Sequence, residues 1–234
     1  MDKRAFAVSL VALAAFALPA AAADKLHLYN WNNYIAPETI KRFEAECKCE
    51  VVQTYYSDNE ELLAKLAAGA KGYDILVPTG NAVEALIKGG QLQPFDPGHR
   101  FSVPYAMSTT ILGYNDAKMK ELGLPTNTWA TIFDPTLLQK VKGRVTVLDS
   151  ASELFAAALI HLGYSANDTD EKRWRQAADL IKKAKPYWAA FNASSYIKEL
   201  TVGNIWLVHG YSNDIFQASL DAQAAGRKFR IVHA

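Results

Sequence analysis

A chain of 234 residues with half of its side chains apolar is long enough to bury a substantial core, in one large or two small domains, and too apolar to remain disordered. Its 25 basic and 24 acidic side chains nearly cancel. There is therefore no global field to attract nucleic acid or an anionic membrane, and any charge selectivity has to be local.

The chain opens with Lys3 and Arg4, an apolar run from Ala5 to Leu18, Pro19 and the small residues Ala21, Ala22 and Ala23. This is the pattern of a secretory signal peptide over residues 1–23, cleaved after Ala23. The run is shorter than the about 20 apolar residues a spanning helix needs. Removing it takes away Asp2, Lys3 and Arg4 and leaves 23 basic and 23 acidic side chains on 211 residues.

Short apolar runs then alternate with segments of helical period, the pattern of an α/β fold. Leu26 to Asn30 reads as a strand, and Pro37 opens a helix with Ile40 and Phe43 on its apolar stripe. Cys47 and Cys49 flank Lys48. That spacing is too tight for a structural zinc site and near the limit of bridging on extended backbone, so both read as small buried apolar residues, with intermolecular pairing open to an exported chain. Val51 to Tyr55 is the next strand. Asp58 and Glu61 form a capping-box signal ahead of Leu62, Leu63 and Leu66, and a buried strand follows at Ile75 to Val77. Asn81 then caps a helix that Gly89-Gly90 ends.

Pro104 to Thr110 is the nearest thing to a boundary. Beyond it, Thr110 to Tyr114 reads as a strand, Trp129 to Val141 as short helices or turns interrupted by Pro135, and Val145 to Leu148 as a strand. Ser150 with Glu153 signals a capping box; a second amphipathic helix runs from Asp170 to Lys185 with Trp174, Ala178 and Ile181 inward. Ser194 or Ser195 caps a short helix to Val202. Ile205 to Val208 is a strand, Asn213 opens a helix, and Phe229 to Val232 is a last strand. No internal repeat or low-complexity tract interrupts this order.

Ligands of open α/β sheets bind beyond the carboxyl ends of strands. The residues there are Trp31, Asn32, Asn33 and Tyr34; Thr79, Gly80 and Asn81; Asp149, Ser150 and Glu153; Tyr211 and Asp214. Rings and carboxylates predominate, and none is Lys or Arg. Ring faces attract ammonium groups and pack alkyl stems, while carboxylates accept charge-assisted hydrogen bonds, so the set suits an organic cation. Each residue also has a purely structural reading. Glu153 can serve only its capping box, Asp214 only the helix dipole, Thr79 and Asn81 only a cap, and Trp31 and Tyr34 only the core.

The segments Leu28 to Pro37, Tyr73 to Pro78, Val103 to Tyr105, Glu153 to Phe155 and Asn204 to Gln217 resemble, in the same order, the periplasmic putrescine/spermidine-binding proteins of ABC transporters. The resemblance implies a type II periplasmic-binding fold of two α/β lobes, residues 24–109 and 110–234, closing on a polyamine. It implies a periplasmic monomer that delivers its ligand to a membrane permease and its ATPase, without cofactor or catalysis. Carried over by position, Trp31 and Tyr34 would wall the groove, Thr79 would line it from the first lobe, and Glu153, Ser194, Tyr211 and Asp214 from the second. Asn33 stands where the family usually has an acid, so one ammonium anchor is neutral. The stretch from Asp96 to Phe101 is shorter than its counterpart. The chain also ends about where the family's second interlobe crossover begins, so the first lobe is expected to be incomplete.

Two other readings compete with polyamine capture: a binder of another small amine or amino-acid derivative, favoured by Asn33, and an inactive truncated fragment. An enzyme is disfavoured. His27, His99, His161, His209 and His233 show no metal-ligand spacing, and neither a Gly-x-Ser-x-Gly elbow nor a phosphate-cradling glycine loop occurs.

Overall fold

The computed structural model describes residues 24–32, 34–96, 98 and 100–234. The segment 1–23, where a signal peptide is expected, and Asn33 lie outside the described residues. A three-stranded sheet is built from the N-terminal part and a five-stranded sheet from the rest.

The first sheet has strand order β2-β1-β3 and is wholly parallel. Its strands are β1 (Asp24–Trp31), β2 (Cys49–Tyr56) and β3 (Ile75–Leu76), connected by α1 (Pro37–Cys47) and α2 (Asn59–Ala67) and followed by α3 (Gly80–Lys88). Parallel neighbours need crossover helices, which is why strand and helix periodicities alternate here. Half of the expected box at α2 is formed: Asp58 Oδ1 accepts from Glu61 N at 2.7 Å, while Glu61 Oε2 reaches past the cap residue and accepts from Ser57 N at 2.9 Å. The core of this part gathers Tyr29, Trp31, Tyr56, Leu62 and Leu86.

The second sheet has order β6-β5-β7-β4-β8 and is mixed, with β4 antiparallel to both β7 and β8. The elements run β4 (Thr110–Asn115), α4 (Asp116–Glu121), α5 (Ala130–Phe133), α6 (Pro135–Leu138), β5 (Val145–Val147), α7 (Ala151–His161) and α8 (Glu171–Ala184). They continue with β6 (Ala190–Phe191), α9 (Tyr196–Val202), β7 (Leu207–Tyr211), α10 (Ser212–Ala224) and β8 (Ile231–His233). Helices α7 and α8 pack with β5 and β7 in one core, while α9 and α10 pack with β7 and β8 in another.

Several local expectations are corrected. Cys47 and Cys49 are joined in a disulfide, with Cα atoms 5.2 Å apart, and Cys47 is exposed. Lys48 caps α1 in the left-handed conformation at φ 57°, which turns the chain so that its two neighbours face each other, as extended backbone would not. Ser150 precedes α7 but makes no side-chain cap, and Glu153 turns instead to Thr110. In α8 the buried positions are Ala177 and Ala184, one position out of phase with Ala178, while Trp174 stacks on Phe155 and stays 38% exposed. A large ring at the helix edge lies flat over a neighbour more readily than it enters a close helix packing that small residues permit.

At α3 the cap position is Thr79, whose hydroxyl donates to Asn81. Ile75 is exposed, since β3 is an edge strand. No residue of α1 is buried: Ile40 is half-buried and Phe43 exposed, because the narrow sheet offers α1 little to pack on among the described residues. The strand expected at Ile205 to Val208 runs from Leu207 to Tyr211, the last one starts at Ile231, and α10 starts at Ser212.

Candidate functional site

The carboxyl ends of β1 and β2 face those of β7 and the approaches to α9 and α10. Trp31, the last residue of β1, is buried and its indole Nε1 donates to Val77 O at 2.7 Å. That bond fixes the ring plane. Tyr56, the last residue of β2, also donates its hydroxyl to Val77 O, and its ring centroid is 4.7 Å from that of Trp31. Tyr34 and Tyr211 lie 5.9 and 6.0 Å from the Trp31 ring, the latter edge-on at 76°. Tyr105 donates its hydroxyl to Tyr34 O and so ties the connecting segment to this wall.

The polar floor comes from the second sheet. Asp214, in the first turn of α10, accepts from the Tyr196 hydroxyl at 2.6 Å, and that hydroxyl oxygen accepts from Tyr211 N at 3.1 Å. One buried tyrosine thereby sets both a carboxylate and the backbone under a ring. Burial pushes the Asp214 carboxyl above its ordinary value, only partly offset by the bond from Tyr196. Burial, then the Asp214 carboxylate, pushes the Tyr34 hydroxyl up to about 12. The Tyr211 hydroxyl is raised by burial first, then by the carboxylates of Glu153, Glu60 and Asp214 and by Tyr34. The rings are therefore neutral at ordinary pH, and three carboxylates bias their surroundings towards a cation.

Trp31, Asn32, Tyr34, Tyr56, Ser57, Ser194, Tyr211 and Asp214 line one cavity with Ala193 and Ile197. Its volume of about 20 Å³ holds roughly one water. Five of the eight residues expected from the sequence, Trp31, Tyr34, Ser194, Tyr211 and Asp214, meet there. Glu153 stands outside the lining, its Oε2 accepting from the Thr110 hydroxyl at 2.5 Å. Thr79 stands outside the lining, its N–H donating to Asn59 Oδ1 at 3.1 Å. Asn33 is not among the described residues.

Tyr56, Ser57 and Tyr196 were missed. Tyr56 ends β2 and Ser57 follows it, so the strand-end rule that selects Trp31 selects them too once it is applied to β2. Tyr196 carries no such signal, because its role depends on α9 crossing beside β7.

A buried histidine lies near the site but outside it. Burial alone holds His209 down to about 3, with Nδ1 accepting from Leu148 N at 3.3 Å. The folded value lies below the unfolded one, so the stability it contributes is complete above about pH 6.5 and declines as pH falls towards 3. Acid unfolding followed by circular dichroism should show a loss of about 3 kcal/mol between pH 7 and 4 from this group. His209→Gln, which keeps an acceptor but cannot titrate, should flatten that limb; an unchanged limb would assign it elsewhere.

Residues 38–234 match the family of bacterial extracellular solute-binding proteins. The chain belongs to that family, and its α/β architecture is the type II periplasmic-binding fold. It is 55% identical over 239 residues to the putrescine/cadaverine-binding protein of Pseudomonas aeruginosa, covering 94% of this chain and 68% of the relative. It is 37% identical to the putrescine-binding periplasmic protein SpuD of Pseudomonas aeruginosa, covering 91% and 65%. The crystal structure of the TpPotD lipoprotein of Treponema pallidum superimposes with a TM-score of 0.72 at 28% identity, over 90% of this chain and 68% of that one. The chain thus spans about two thirds of the length of the curated relatives it matches.

Proposed function

We propose that the chain captures a small diamine of the putrescine or cadaverine kind in the periplasm and presents it, as a monomer, to the permease and ATPase of an ABC importer. The observation that carries this reading is the lining of the cavity: aromatic rings from both sheets around the Asp214 carboxylate, with no lysine or arginine in the lining among the described residues. An ammonium group gains from ring faces and from a carboxylate together, and an alkyl stem packs between the rings. A relative named for putrescine and cadaverine, at 55% identity, supports the same ligand class.

In this reading the residues 24–109 and 110–234 act as two lobes hinged near 108–111. Thr109 O accepts from Ser212 N at 2.8 Å there, and the strand β4 begins. A cavity of about 20 Å³ is smaller than any diamine, so the lobes must part to admit one and close again over it. Tyr34, Trp31 and Tyr56 sandwich the methylene chain, Asp214 receives one ammonium, and Glu153 the other. Thr79 and Asn33 would contribute neutral contacts from the first lobe. No chemistry is performed on the ligand.

Glu153→Gln separates the ligand role from a helix-capping one. Ser150 makes no cap bond with it, and a glutamine can still accept from Thr110. Its melting temperature should therefore match the parent, while putrescine affinity measured by calorimetry falls by about 5- to 15-fold through loss of charge assistance. Equal affinity would remove Glu153 from the site.

A further inference from the structure

The two sheets are bridged by side chains on one flank of the cavity. Glu60, in the first turn of α2, reaches the first turn of α7. Its Oε1 accepts from Ser152 Oγ at 2.9 Å, from Ser152 N at 3.3 Å and from Ser150 Oγ at 3.5 Å. One turn earlier in the chain, Ser57 Oγ lies 3.2 Å from Ser194 Oγ. The bridges start at the beginning of α2 and just before it, and end in the first turn of α7 and in the loop before α9.

The first N–H groups of a helix need an acceptor, and a carboxylate there is favoured by the helix dipole. In α7 the residue in the cap position, Ser150, makes no side-chain cap. The acceptor is supplied instead by Glu60, 92 residues away in the chain. A cap supplied from the opposite sheet exists only while the two sheets are close, so it stabilises the closed arrangement and no other. Glu60 and Ser152 are both exposed, so the bridge can break and re-form without disturbing a core. The helix it holds also carries Glu153, whose carboxylate acts electrostatically on the Tyr211 hydroxyl.

We propose that Glu60 is a closure clasp: a positioning residue that caps α7 across the cleft and shifts the lobe equilibrium towards the shut state, with the Ser57 to Ser194 contact as its second point. It does not touch the ligand. Removing it should speed ligand release while leaving discrimination between ligands unchanged, because every ligand benefits equally from a more stable closed state.

The test has two arms. Small-angle X-ray scattering of the chain without amine should give a larger radius of gyration for the Glu60→Ala/Ser57→Ala double variant than for the parent, at equal melting temperature. Equal radii would overturn the clasp. Stopped-flow tryptophan fluorescence with putrescine and with cadaverine, which rests on the reading of the site as a diamine site, should show dissociation about fivefold faster for Glu60→Ala. Association should be no slower, since the open state that admits ligand is more populated, and the putrescine-to-cadaverine affinity ratio should be the same. A changed ratio would overturn the positioning role in favour of direct ligand contact. Should the parent chain bind neither diamine, the ligand reading fails, and the scattering arm still decides the clasp.

Discussion

Asp214→Asn is expected to weaken putrescine binding by roughly 30- to 150-fold, or about 2–3 kcal/mol, with little loss of stability. The amide keeps an oxygen for the Tyr196 hydroxyl but not the charge that an ammonium needs. The effect is large because the carboxylate is half-buried among rings, where a lost partner is not replaced by water. The variant also carries a pH signature. Burial raises the Asp214 value, so without ligand the stability it contributes is full below the unfolded carboxylate value and lost as pH rises through the folded one. Binding of a cation has the opposite sign, because it requires the ionised form. Affinity in the parent should therefore fall with decreasing pH at values higher than an ordinary aspartate would give. In Asp214→Asn that limb should be missing. Calorimetry from pH 5 to 8 on both proteins checks both statements, and an affinity that is the same in both would remove Asp214 from the site.

Gly210→Ala is expected to damage fold and site together. Gly210 lies in β7 opposite Ile111, and a Cβ there would sit 2.6 Å from the Tyr196 ring, itself fully buried. Overpacking of this kind costs about 1–3 kcal/mol, which for a domain of this size lowers the melting temperature by roughly 2–12 °C. The displaced ring is also the one that holds Asp214 and the Tyr211 backbone. Putrescine affinity should therefore drop in the folded fraction as well. Tyr196→Phe separates the two effects: it keeps the ring and removes the hydroxyl, so affinity should fall without steric cost. A Gly210→Ala protein with parental melting temperature and affinity would mean that Tyr196 moves aside freely.

The parts of the site that the sequence made legible are those governed by one-dimensional rules. Trp31 and Tyr211 end strands and Tyr34 and Asp214 follow them, and strand ends are where ligands meet an open sheet, so alternation of periodicity is enough to select them. The α/β order was legible for the same reason, and the capping box of Asp58 and Glu61 is local by nature. What was hidden depends on elements far apart in the chain. Tyr196 supports Asp214 because α9 crosses next to β7, and Glu60 caps α7 because the two sheets meet at that flank. Ser150 and Glu153 match a capping-box pattern, yet the Ser150 hydroxyl meets Ser152 and the distant Glu60, and Glu153 accepts from the distant Thr110. The cysteine pair was misread because a single left-handed residue, Lys48, changes the geometry of the segment, and nothing in a Cys-Lys-Cys spelling announces that conformation.

The most direct test of diamine capture is isothermal calorimetry of the purified chain against putrescine, cadaverine and spermidine at neutral pH, with circular dichroism to establish that it is folded. Diamine capture at the Asp214 cavity predicts saturable binding of one diamine per chain, weakened by Asp214→Asn. A folded chain that gives no heat with any of the three amines would contradict it.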